Sequence, residues 1–140
     1  MTPFVYTRRV EFGETDMAGI MHFSNYFRHM EAAETAFLRD RGLGVHWSDA
    51  GVTYGFPRVS VACDFIRPAR FEDVLDIAVV VEKLGTKSIG YRFDFRCDGI
   101  DIAVGRITAV LCRAVHLSTM ESIAIPESIR IKLAPASAES

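Results

Sequence analysis

Two hydrophobic periods divide this chain. From Ser24 to Arg41 the apolar residues Tyr26, Phe27, Met30, Ala33, Phe37 and Leu38 recur at three- and four-residue intervals, with Arg28, Glu31, Glu34, Thr35 and Arg39 among them. That spacing predicts one amphipathic helix of about five turns. Beyond Gly55 the period falls to two. Ile89, Tyr91, Phe93, Phe95 and Cys97 alternate with Ser88, Gly90, Arg92, Asp94 and Arg96, so one strand face is buried and the other largely wet. One long helix followed by several long strands predicts an α+β fold in which the helix covers one face of an antiparallel sheet.

The remaining elements follow from local signals. A first strand is expected from Val5 to Phe12, and a glycine-bearing loop from Gly13 to Met21. Gly42 supplies a left-handed stop for the helix, with Arg39 and Arg41 near the negative end of its dipole. Ser48 is placed to cap a single helical turn through Ala50. Val59, Val61, Cys63 and Phe65 mark a strand that ends at the Arg67-Pro68 turn, and Asp73 to Leu84 marks the next. Asp98-Gly99 is a hairpin signal leading into a long final strand from Ile102 to His116, with Arg106 and Arg113 on opposite faces. Ile125-Pro126-Glu127 starts either a short helix or an extended arm. Residues 1–133 read as a single domain, the size expected of one core, and residues 134–140 as a frayed tail.

A single helix about 10 Å wide cannot cover such a sheet. Apolar residues fall on both faces in Ile77 to Val81 and Ile102 to Leu111, which predicts subunit association over a sheet face or edge. The net charge of -2 excludes the basic footprint of a nucleic-acid binder. It leaves room for a few positioned cations against a phosphorylated small molecule. Cys63, Cys97 and Cys112 form no C-x-x-C pair and lie in apolar or alternating stretches, as buried free thiols do. No apolar leader region or membrane span is read, which predicts a cytoplasmic setting.

Chemistry concentrates around the start of the helix. Its first backbone N–H groups lack intrahelical acceptors and favour negative charge. Ser24 is the better chemical cap, and Phe23 is the boundary if the helix begins one residue earlier. Asp16 lies seven residues before Phe23, across Ala18 and Gly19, close enough for a carboxylate and an N–H donor to converge on one carbonyl. Read locally, such an Asp is more often an Asx-turn or cap residue, and Glu14 competes for the same role. His22 is either a structural hydrogen-bonder or a contact for substrate. Glu31 and Glu34 read as ion-paired or solvated helix residues, near Arg28 and Arg39. Met17, Ile20, Met21, Phe23 and Trp47 are candidates to line an apolar pocket. Lys87, Ser88, Arg92, Arg106 and Arg113 are candidates for phosphate contact. His29, His46 and His116 share no metal-ligand spacing with cysteines or carboxylates, and no P-loop, G-x-S-x-G or G-x-G-x-x-G pattern is present.

The segment VEFGETDMAGIMHFSNYFRHMEAAETAFLRDRGL, Val10 to Leu43, resembles the signature of the 4-hydroxybenzoyl-CoA thioesterase family of hotdog-fold acyl-CoA thioesterases. The resemblance continues through the strands, including Gly-Thr-Lys-Ser at Gly85 to Ser88. It implies an antiparallel sheet wrapped around one long central helix, dimers with a continuous sheet, tetramers built from them, and active sites at the dimer interface. It implies that Asp16 acts as nucleophile or general base and that the Phe23 backbone N–H polarises the thioester carbonyl. Substrate contacts fall to His22, Ser24, Trp47, Lys87, Ser88 and Arg113, with Lys87 and Arg113 at the CoA phosphates. No cofactor is implied beyond the CoA carried by the substrate. The acyl group stays open among aromatic, short and long chains. Two other readings compete: a hotdog hydratase or dehydratase using Asp16 and His22, and a non-catalytic acyl-CoA-binding module.

Overall fold

A computed structural model describes residues 3–115 and 119–134. Among these residues nine strands and two helices follow one another: β1 (Phe4–Arg9), α1 (Ser24–Asp40), β2 (His46–Asp49), β3 (Val52–Gly55), β4 (Arg58–Phe65), β5 (Val74–Leu84), β6 (Ser88–Cys97), β7 (Ile100–Val110), β8 (Cys112–Val115), β9 (Glu121–Ser122) and α2 (Glu127–Leu133). A single 3-10 turn at Phe12–Glu14 precedes α1. The main sheet is antiparallel with strand order β1-β5-β6-β7-β4, and a smaller one has the order β2-β3-β8-β9.

The helix forms where the 3.6-residue period predicts it and packs on the main sheet. Tyr26, Met30, Ala33, Phe37 and Leu38 are buried on its inner stripe. Ile89, Tyr91, Phe93 and Phe95 of β6 are buried in the same core, while Cys97 is half-exposed at the strand's end. Phe37 meets Phe4 and Tyr91 edge-on at 5.8 and 6.0 Å, the geometry that ring quadrupoles favour. The helix ends in a Schellman motif: Gly42 N–H donates to Arg39 O at 3.0 Å and Leu43 N–H to Leu38 O at 2.7 Å. Asp98 and Gly99, both at positive φ (51° and 78°), close the β6–β7 hairpin.

Several expectations are corrected. No helical turn forms at Ser48. Instead β2 and β3 make a hairpin around Ala50-Gly51, both at positive φ. Trp47 stacks on its cross-strand partner Tyr54 at 5.4 Å, and β3 pairs onward with β8. The final strand is not continuous. At its end Val110 N–H donates to Pro57 O and Leu111 N–H to Lys87 O, and the chain leaves the main sheet for the smaller one. Glu34 is not a solvated residue paired along its own helix: it is fully buried, and Arg58 of β4 donates to its Oε1 through Nε (3.0 Å) and Nη2 (2.6 Å).

Of the two C-terminal alternatives the short helix forms, as α2. The expected end of the last strand at His116 and all but Ala134 of the expected tail lie outside the described residues. The three cysteines are free and half-buried rather than fully buried. Among the described residues, no helix is long and apolar enough to cross a membrane.

Candidate active site

The segment between β1 and α1 is a tightly bonded loop. Thr15 and Met21 form an antiparallel bridge, Asp16 N–H donates to Ile20 O at 2.9 Å, and Gly19 N–H returns to Asp16 O at 2.9 Å. Gly19 adopts φ 81°, which the reversal requires and a side chain would strain. Met21 N–H donates to Ala69 O at 2.7 Å, and Ile20 bridges to Arg70. The loop is thereby fastened to the segment after β4.

Asp16 makes the turn of one local reading and stands at a cavity. Its Oδ1 accepts the Ala18 N–H at 2.8 Å, an Asx turn. Asp16 also lines a cavity of about 450 Å3, together with Ile20, Met21, Phe23, Tyr26, Phe65, Ile66, Arg67 and Pro68. The walls are apolar and aromatic. Tyr26 sits 4.9 Å from Phe65 and 5.5 Å from Phe95; its burial raises the phenol above its usual range, so it stays neutral.

At the helix start the boundary residue is Phe23, in αR conformation and without a side-chain cap, and Ser24 is the first helical residue. His22 takes over the capping. Its Nδ1 accepts the Ser24 N–H at 3.3 Å and lies 2.8 Å from Ser24 Oγ, and its ring stacks on Phe23 at 4.4 Å. The Asn25 and Tyr26 N–H groups donate to His22 O and Phe23 O. Among the described residues no acceptor meets the Phe23 N–H. The cavity therefore has a carboxylate on one wall and, at the residue forming another, an open backbone donor.

The other predicted contacts gather elsewhere. Lys87 Nζ donates to Ser122 Oγ at 3.3 Å, and Arg113 Nε to Glu121 at 2.7 Å. Ser88 opens β6 opposite Val110, and Trp47 stacks on Tyr54 and meets Phe56 at a tilt. Phe65 pairs with Ala103 and Ser88 with Val110 along β7, seven residues apart, or roughly 24 Å at strand rise. Within one protomer Lys87, Ser88, Arg113 and Trp47 thus do not share the Asp16 cavity. Arg92 and Arg106 pair with Glu82. Ile20, Met21 and Phe23 line the cavity as expected, whereas Met17 is fully exposed. Glu14, the competitor of Asp16, turns inward to Arg8 and His29. Phe65 to Pro68 form a wall that sequence reasoning missed: the Arg67-Pro68 pair signalled a turn, with no sign that it would fold back onto Ile20 and Met21. Among the described residues no group of side chains is arranged to hold a metal ion.

A sequence profile of the thioesterase-like superfamily matches residues 10–133. The chain belongs to that superfamily. Membership carries the class of chemistry, so the protein is a thioester hydrolase with a hotdog-type antiparallel sheet and two helices. It is 33% identical over 129 residues to a 1,4-dihydroxy-2-naphthoyl-CoA hydrolase of Prochlorococcus marinus (strain MIT 9303), covering 87% of this chain and 83% of that one. It is 35% identical over 88 residues to a 4-hydroxybenzoyl-CoA thioesterase of Pseudomonas sp. (strain CBS-3), covering 61% and 62%. Among solved structures, BH1999 gentisyl-coenzyme A thioesterase superposes with a TM-score of 0.80 at 33% identity, over 94% of this chain and all of that one.

Proposed function

We propose that this protein hydrolyses the CoA thioester of an aromatic acid. The observation that carries the reading is one cavity lined by Asp16 and by Phe23, whose N–H is open, and walled by the rings of Phe23, Tyr26 and Phe65. A flat acyl group stacks in such a slot, and the three relatives above carry names of aromatic acyl-CoA hydrolases.

The thioester carbonyl sits with its oxygen at the Phe23 N–H. The developing oxyanion gains a fixed donor and the positive end of α1. Asp16 Oδ2, free of hydrogen bonds among the described residues, then acts by one of two routes. It attacks the carbonyl carbon, forming an anhydride that water opens, or it takes a proton from a water that attacks. Either way the C–S bond breaks, a C–O bond forms, and the products are the free acid and CoA. Thiolate departure needs no general acid. The reaction calls for no cofactor beyond the CoA of the substrate.

Assembly completes the site in this reading. The sheet curves around α1, and residues 1–133 act as one domain. The apolar edge of β4, with Val59, Val61 and Phe65 exposed, pairs with a second copy to continue the sheet, and such dimers associate to tetramers in the cytoplasm. A second copy then brings its Lys87, Ser88 and Arg113 to the CoA moiety, with Trp47 behind them.

The test is thiol release across benzoyl, phenylacetyl, short-chain and long-chain acyl-CoA. Aromatic thioesters are expected to turn over at least about tenfold faster than long-chain ones, the discrimination a shaped apolar pocket supplies. Tight binding with no thiol released from any of them would sink the reading and favour a binding module. Water addition to an enoyl-CoA would favour a hydratase.

A further inference from the structure

Glu14 lies two residues before Asp16, yet its side chain faces away from the cavity. Its carboxylate closes a cluster that joins three elements. Oε1 accepts the Glu11 N–H at 2.9 Å; Oε2 accepts Arg8 Nη2 from β1 at 2.9 Å and lies 3.0 Å from His29 Nε2 on α1. The backbone carbonyl of the same residue accepts the His22 N–H at 2.8 Å and the Asn25 side-chain amide at 2.9 Å. One residue thus fastens the loop where it leaves β1 and again where it enters α1. Asp16 and Phe23 stand at the two ends of the segment so held.

The protonation state of the cluster follows from its surroundings. Burial opposes ionisation of Glu14, but the Glu11 N–H, His29 and Arg8 outweigh it and hold the carboxyl below its usual range. An ionised carboxylate only accepts, so His29 Nε2 carries the proton. Burial, and then the Arg8 charge, push His29 down and keep the ring neutral. Its Nδ1 is a fully buried lone pair with no partner among the described residues. Protonation would place an N–H there with nothing to receive it.

We propose that Glu14 and His29 form a positioning clamp for the thioester reaction, holding the Asp16 carboxylate and the Phe23 N–H at a fixed separation through the Glu14 to His22 bond. The proposal rests on the reading of Asp16 and Phe23 given above. Neither clamp residue lines the cavity; both act through the backbone that carries the reacting groups. Misplacement of such groups by about 1 Å costs on the order of a hundredfold in rate. Among the described residues the groups facing His29 are Glu14 from the turn and Arg8 from β1. His29 folds with its proton affinity lowered, so the clamp is intact above about pH 6.5 and is lost as pH falls through the lower folded value.

The test compares His29→Leu, which removes the donor to Glu14, with His29→Gln, whose amide can still donate. His29→Leu is expected to lower kcat about 10- to 100-fold while KM stays within about threefold. His29→Gln is expected to stay within about threefold in kcat and to lose the inflection that His29 contributes to the acid limb of the pH profile. Amide hydrogen exchange over residues 15–23, which needs no substrate, is expected to rise about tenfold in His29→Leu and not in His29→Gln. If His29→Leu does not fold, Glu14→Gln puts a donor among three donors and carries the same expectations. Unchanged exchange and unchanged kcat in His29→Leu or Glu14→Gln would overturn the clamp. An inactive Asp16→Asn beside that result would leave the site reading standing, so the two failures are distinct.

Discussion

Asp16→Asn is expected to lower thioester hydrolysis by at least about a hundredfold, the scale of losing a general base or nucleophile, while acyl-CoA binding survives. The substitution keeps the volume of the side chain and its Oδ1 acceptor for the Ala18 N–H, so the loop fold is preserved. What it removes is the anionic Oδ2. The apolar walls supplied by Tyr26, Phe65 and Ile66 remain, and KM should stay near the wild-type value if it reports binding. Steady-state thiol release with isothermal titration of a non-hydrolysable thioether analogue separates the two. Near-normal turnover by the variant would remove Asp16 from the chemistry. A loss confined to KM would make it a binding residue only.

What was legible in the sequence was what local pattern controls. The α1 stripe, the alternation of β6 and the Asp98-Gly99 turn each carry their whole signal within about twenty residues. The β2–β3 hairpin does not. Its strands are four residues long and β3 pairs onward with β8, a tertiary contact that local propensity at Ser48 does not encode. The break after Val110 was hidden for the same reason, because Pro57 O and Lys87 O, which take the freed N–H groups, are distant in sequence. The site divides along the same line. Asp16 and Phe23 sit in one short segment and line the same cavity. The Phe65 to Pro68 wall reaches them through tertiary pairing of Ile20 with Arg70 and Met21 with Ala69, which no spacing rule encodes. Glu14 rivals Asp16 by residue type alone. Its real partners, Arg8 and His29, lie on two other elements and turn it inward.

Arg58→Met is expected to destabilise the fold by about 3–5 kcal/mol, the cost of stranding a buried charge. Glu34 is fully buried on α1, and Arg58 supplies both hydrogen bonds to its Oε1. Neither Glu34 Oε2 nor the buried Tyr91 hydroxyl has a partner among the described residues, so Arg58 supplies every side-chain hydrogen bond that the Glu34 carboxylate makes there. Burial raises Glu34 above the ordinary 4.5 even with Arg58 opposing it, and without Arg58 that opposition disappears. The sign follows from proton counting. Between 4.5 and the raised folded value the native state holds the Glu34 proton that the unfolded chain has released. Stability therefore falls as pH rises through that window and recovers towards its acid end. Denaturant melts of Arg58→Met at about pH 5 and pH 8 should differ by more than those of the wild type, with the variant weaker at pH 8. Replacing both partners, as in E34L/R58M, should restore most of the loss, because an apolar pair of similar volume leaves no charge to desolvate. Equal midpoints for Arg58→Met and the wild type at both pH values would show that Glu34 finds another partner once Arg58 is gone.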